Sequence, residues 1–309
     1  MTEKSATVRV GTRGSPLALR QAEWVAAAMR RLRPDLSVEL VPIRTSGDRI
    51  LDRALAEIGG KGLFVKEIEE ALLDGRVDLA VHSMKDMPVS LAAGLSLAAV
   101  PPREDPSDVL IAHSTGGLRG LPRAARIGTA SLRRAAFVRH ARPDVDVVPL
   151  RGNVDTRIAK WRDGAVDALV LAAAGLRRLG LRVAEARTLA MTEMLPAIGQ
   201  GALAIEARSE GPWREVGALL DDADARAAVL SERAFLRGMG GDCTTPIAAY
   251  AVVSAQGVDL SAAVADPSGR RLIEASRRGT RAAVEEVGAR LAEELLGRGA
   301  RELLEGLKR

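Results

Sequence analysis

Three short turns in this chain combine arginine, glycine and small hydroxyl residues. They are GTRGSP (Gly11 to Pro16), GTASLRR (Gly128 to Arg134) and LRGNVDTR (Leu150 to Arg157). Each follows an apolar run and opens a helical pattern. A helix start leaves backbone N–H groups unpaired and carries the positive end of the dipole, so it attracts anions. Arg13, Arg133, Arg134, Arg151 and Arg157 add planar forks that grip carboxylates or phosphates. Ser15, Thr129, Ser131 and Asn153 add short polar groups. Taken singly, each turn reads more readily as a plain N-cap with solvated arginines. Three of them, at the carboxyl ends of strands, point to an anion site. No Walker or G-x-G-x-x-G pattern is present, so a nucleotide is not indicated.

A fourth segment, DLAVHSMKDMP (Asp78 to Pro88), ends a buried strand in polar residues. Asp86 there is placed to act as acid, base or cation stabiliser, or is simply a loop carboxylate beside Lys85. His82 reads as a hydrogen-bonded structural histidine. The three histidines are far apart in sequence, so no metal site is expected. GGKGLFVKEIEE (Gly59 to Glu70) is a glycine-punctuated turn before a helix and reads as a mobile cover, with Phe64 in the core or facing a planar ligand. Cys243, the one cysteine, lies in the loop GMGGDCTTP. A reactive thiolate wants positive charge nearby, and Asp242 opposes that.

The elements that position these residues follow from periodicity. Ser15 and Pro16 start a helix as N-cap and first-turn proline, after a strand at Ala6 to Thr12. Strands at Ser37–Arg44 and Val77–His82 and a helix at Val65–Leu73 complete a β-α-β-α-β pattern. After a proline-rich joint (Pro101 to Asp108) the pattern repeats: strands at 125–128, 145–150 and 166–173, helices at 131–140, 154–161 and from Leu176. LPAIGQGALAIEARS then returns to the first half. Three antiparallel strands (250–254, 258–264, 271–276) and a helix (281–296) form a small α+β end. The expected class is α/β: two lobes, 1–101 with 200–219 and 105–196, plus an α+β domain at 222–309 that carries Cys243.

The 309 residues fit two or three domains. Net charge is +5, and all but six of the 45 basic residues are arginine. Aromatic content of 2 % leaves few stacking platforms for single-stranded nucleic acid, and no duplex-binding motif is present. No apolar run is long enough to span a membrane. The polar start and the single cysteine lead us to expect a cytoplasmic protein. One reading of such a chain is a small-anion solute-binding or sensing protein of the two-lobed kind. The missing signal peptide and DNA-binding segment count against it.

Read in order, TRGSPLALRQA, GGKGLFVKEIE, DLAVHSMKDMP, GTASLRR, LRGNVDTR, LAAAGLRRLG, LPAIGQGALAIE and the cysteine loop closely resemble the porphobilinogen deaminases. The resemblance implies two lobes like those of type II periplasmic binding proteins and a third domain with the cysteine. It implies a dipyrromethane cofactor in thioether linkage to Cys243. It implies condensation of four porphobilinogen molecules, release of ammonia, and hydrolysis to hydroxymethylbilane, which passes to the next enzyme of tetrapyrrole synthesis. Asp86 would be catalytic. Arg13, Ser15, Lys85, Thr129, Ser131, Arg133, Arg134, Gly152 and Arg157 would hold the cofactor. Arg151, Arg178, Phe64 and Gln200 would meet substrate. No metal is implied, and a monomer is expected. The chain departs from the family pattern at Glu57 (often lysine), Ala130 (often serine) and Asp242 (often glycine).

Overall fold

Ser15 stops the first strand and starts the first helix: its hydroxyl accepts the Ala18 N–H at 3.4 Å, and Pro16 occupies the first turn. In the computed structural model this places β1 at Thr7–Arg13 and α1 at Pro16–Leu32. The structure describes residues 6–49, 64–241 and 245–305. Glu57, Gly59 to Leu63, Asp242 and Cys243 lie outside the described residues.

The chain divides into two compact units, Met1–Arg103 with Ala202–Arg226, and Glu104–Gly201 with Ala227–Arg309. The first holds β1, β2 (Ser37–Ile43), α2 (Lys66–Leu73), β3 (Leu79–Ser83) and β4 (Leu95–Ala99). The second holds β5 (Asp108–Ala112), β6 (Arg126–Gly128), α3 (Leu132–Ala141), β7 (Asp146–Val148), α4 (Val154–Arg162), β8 (Ala168–Ala172), α5 (Ala173–Arg178) and β9 (Ala186–Thr188). The chain then returns to the first unit as β10 (Leu203–Arg208), followed by α6 (Pro212–Ala218). Helix α7 (Ala223–Met239), mostly in the second unit, leads to β11 (Ile247–Ser254), β12 (Gly257–Ala265), β13 (Leu272–Gly279), α8 (Val284–Gly297) and α9 (Ala300–Glu305).

The two five-stranded sheets share one topology. Their orders are β2-β1-β3-β10-β4 and β7-β6-β8-β5-β9. In each, the first three strands are parallel and the fourth runs antiparallel to its neighbours. The carboxyl ends of the parallel strands therefore fall on one edge of each sheet, the usual ligand edge of an α/β sheet. Alternation decides the faces. In β3, Leu79 and Val81 pack with α1 residues such as Val25 and Met29. Ala80 packs instead with Ile68 and Leu72 of α2. The third sheet, β11-β12-β13, is antiparallel throughout. Its Ala248, Ala263 and Ala265 join the core of Phe137 and Val138 on α3. The fold class read from sequence is thus the one found, with more elements: β4, β5, β9, β10, α6, α7 and α9 were not anticipated as elements, and the joint ends one residue early because Asp108 opens β5.

Among the described residues no helix is long and apolar enough to cross a membrane.

Candidate functional site

In the first unit, the carboxyl edge gathers Arg13, Ser15, Lys85 and Asp86. β3 runs into a 3-10 turn, Met84–Asp86, whose Met84 N–H donates to Ala202 O at 3.0 Å. Gln21 of α1 holds the strand end, donating to the Ser83 hydroxyl at 2.8 Å. Lys85 and Asp86 are half-buried on this anchored turn. The Arg13 guanidinium lies over the Phe64 ring, 4.1 Å from its centroid, a cation–π contact. Phe64 also packs against Gly47, where any Cβ would collide with the ring.

His82 is buried, 3.1 Å from Glu206 on β10, a carboxylate at 0 % exposure. Glu69 of α2 joins this group: burial and the nearby Glu206 charge push its carboxyl above the usual range, against the Ala92 N–H that its Oε1 accepts.

In the second unit, the carboxyl edge gathers Thr129, Ser131, Arg133, Arg134, Arg151, Gly152, Arg157, Arg178 and Gln200. Ser131 caps α3, accepting Arg134 N–H at 3.4 Å. Asn153 caps α4 without a side-chain hydrogen bond. Gly152 has φ +120, and a Cβ there would lie 2.8 Å from Thr156 Cγ2, so the tight turn demands glycine. Its carbonyl accepts Arg157 Nε at 2.7 Å.

Asp108, at the start of antiparallel β5 and opposite Ala172, organises the arginines. Arg133 Nη2 donates to its Oδ2 at 2.7 Å and Arg134 Nε to its Oδ1 at 2.9 Å. Arg133 also reaches Leu195 O (2.6 Å), and Arg134 reaches Val170 O (3.2 Å). Gln200 closes the group: its amide donates to Pro106 O (2.6 Å) and Asp108 Oδ1 (3.1 Å), and its Oε1 accepts from Arg134 (3.3 Å). Burial alone would raise the Asp108 carboxyl, but the two guanidinium groups outweigh it and hold the group ionised below its usual range. Burial lowers Arg133, opposed by Asp108.

Arg157 is different. Burial, then the like charges of Arg134 and Arg151, lower it to about 10. Among the described residues no carboxylate pairs with Arg151 or Arg157. Arg178 is also lowered by burial and donates to Gly201 O at 2.8 Å. Crowded cations of this kind favour an acidic ligand, whose carboxylates would relieve the mutual repulsion.

Neither Asp108, which looks in sequence like the end of a joint, nor Glu232, a buried acid on α7, is among the site residues expected from sequence. A signal existed for Glu232: it shares a helical face with Val229, Phe235 and Leu236, all buried. Among the described residues no cluster of metal-ligating side chains occurs.

Comparison with known proteins adds the following. The family model described as porphobilinogen deaminase, dipyromethane cofactor binding domain, matches residues 8–213, and that of the porphobilinogen deaminase C-terminal domain matches 226–297. The chain is 53 % identical over 305 residues to the porphobilinogen deaminase of Syntrophotalea carbinolica, covering 98 % of this chain and 96 % of that one. It is 49 % identical over 310 residues to the enzyme of that name from Syntrophobacter fumaroxidans, covering 100 % of both. Among solved structures, it is 14 % identical to the BenM effector-binding domain with benzoate (70 % of this chain, 90 % of that one, TM-score 0.43).

Proposed function

The chain belongs to the porphobilinogen deaminase family, and we propose that it condenses four porphobilinogen molecules onto a dipyrromethane held by Cys243, releasing ammonia at each addition and hydroxymethylbilane on final hydrolysis. The observation that carries this reading is the crowding of Arg134, Arg151 and Arg157 without a carboxylate partner for the last two among the described residues. Every pyrrole of the growing chain bears an acetate and a propionate, so this donor set fits the cofactor and its extensions. When bound, the dipyrromethane would supply the electron-rich pyrrole to which the first unit is joined, and it would stay on the protein.

The residues of the chain do the rest. Arg151, Arg157 and Arg178 bind side-chain carboxylates by charge-assisted hydrogen bonds. Ser131, Thr129 and the backbone at Gly152 direct helix-start N–H groups toward the same anions. Arg134 and Arg133 lend positive charge to the cofactor site from behind it, through their shared pair with Asp108. Arg13, Ser15 and Lys85 bind anionic groups at the first unit's carboxyl edge. Phe64 and Gln200 border the substrate. Asp86 gives a proton to the leaving amine and then, as a carboxylate, stabilises the cationic pyrrole. The functional domains are 1–101 with 200–219, 105–196 and 222–309. The enzyme is a cytoplasmic monomer, a transferase that hands its product to the next step of tetrapyrrole synthesis. The solute-binding alternative finds no support in the family match.

Intact mass tests the cofactor. The wild type should carry a two-pyrrole increment that Cys243→Ala lacks, and added porphobilinogen should extend the series in single pyrrole steps. Absence of any adduct, even after incubation with preformed hydroxymethylbilane, would overturn the reading. Asp86→Ala should keep the fold and lose roughly 10²- to 10⁴-fold in kcat, the range for a positioned proton donor. Full activity would remove its role.

A further inference from the structure

Glu232 lies on α7 among buried apolar residues and is itself 0 % exposed. A carboxylate so buried is costly unless hydrogen bonds satisfy it. Its Oε2 accepts the Gly199 N–H at 2.7 Å, and its Oε1 accepts the Ala251 N–H at 2.9 Å. Both are charge-assisted bonds to backbone, far apart in sequence. Ala251 sits in β11, the strand that follows the cysteine segment. Gly199 opens the turn that presents Gln200.

That turn is tightly specified. Gly199 has φ +70 and Gly201 φ +85. A Cβ at Gly201 would collide with the Glu104 carbonyl. The Gln200 N–H donates to Ala197 O at 2.9 Å. From this turn the Gln200 side chain reaches both Asp108 and Arg134. A continuous path of hydrogen bonds thus runs from β11, through Glu232, to the arginine cluster, all within one compact unit.

We propose that Glu232 is a positioning residue for the anion cluster: it fixes the 199–201 turn, the turn aims Gln200, and Gln200 sets the Asp108–Arg134 pair. Glu232 thereby couples β11, the strand that follows the cysteine in sequence, to the arginines that grip the ligand. The inference rests on the anion-site reading given above.

The first test uses the whole protein and hydrogen exchange. Glu232→Gln places an amide NH₂ against one of two backbone N–H donors, so the peptide covering residues 196–202 should exchange faster, with or without cofactor. The KM for porphobilinogen should rise about tenfold, the factor carried by one lost net hydrogen bond, while kcat changes less. In the double variant with Gln200→Ala, KM should equal that of Gln200→Ala alone, because both act on one path. Unchanged exchange and KM, or strictly additive effects, would overturn the proposal. If Glu232→Gln does not fold, Glu232→Asp, which keeps the charge and shortens the reach, is measured the same way. A raised KM supports the role, and an unchanged one ends it. Arg157→Ala separates the two readings. If it leaves KM untouched, the anion site itself fails. If it raises KM and the Glu232 variants do not, only the coupling fails.

Discussion

In the first unit the antiparallel strand β10 carries Glu206, and in the second the antiparallel strand β5 carries Asp108. Both carboxylates are at 0 % exposure in sheets of identical strand order. Their neutralisation differs. Asp108 is clasped by two guanidinium groups and the Gln200 amide. Glu206 faces His82 at 3.1 Å, outside hydrogen-bond alignment, with a second acid, Glu69, close enough to feel its charge. The same frame therefore supports a saturated ion cluster in one unit and an acid-rich, loosely paired group in the other. A duplicated topology fixes where the ligand edge lies. Which charge is stored behind that edge is decided side chain by side chain.

The largest effect should come from removing the clasped carboxylate. Asp108→Ala leaves two buried guanidinium groups without their counter-charge, so stability should fall by about 4 kcal/mol, the scale for breaking a buried pair. Denaturant unfolding measures it. The same experiment on Glu206→Gln should change stability by less than about 1 kcal/mol, since the amide keeps the shape and relieves Glu69. Equal losses in the two variants would erase the contrast between the units.

Arg157 comes next. With its guanidinium lowered to about 10 by burial, Arg134 and Arg151, the group loses its charge within reach of alkaline buffers. A lowered arginine is cationic below that value and neutral above it. The KM for porphobilinogen should climb as pH passes about 10, and Arg157→Ala should show a KM raised roughly tenfold at neutral pH with that part of the alkaline rise gone. Steady-state kinetics on both proteins decide it. A variant with the wild-type pH profile would place the crowded cation outside the ligand site.

Much of this was legible because it is written locally. Ser15-Pro16 and Ser131 mark helix starts by residue type alone, and both caps occur as read. The strand ends that carry Arg13, Asp86 and Arg151 follow β1, β3 and β7, strands of seven, five and three residues. What escaped has partners far away in sequence. Asp108 looks like the tail of a proline-rich joint, yet its partners are Arg133, Arg134 and Gln200. Arg133 and Arg134 look alike as surface arginines, but a buried acid on another strand turns both inward. Glu232 depends on Gly199 and Ala251, neither of which shares a local pattern with it.

The smallest effect sharpens the comparison from the first unit's side. Burial and Glu206 raise the Glu69 carboxyl. A raised carboxyl binds its proton more tightly folded than unfolded, so ionising it as pH climbs through the folded value lowers stability. Below the ordinary carboxylate value of about 4 both states are protonated and the penalty vanishes. Glu69→Gln, whose Oε1 can still accept the Ala92 N–H, should therefore raise Tm by roughly 2 °C at pH 7, a shift typical of one relieved contact in a chain this long. At pH 4 the gain should shrink toward zero. A gain that persists unchanged at pH 4 would trace to packing rather than charge, and a loss at both pH values would mean that Glu69 is held by a cation the His82–Glu206 group does not supply.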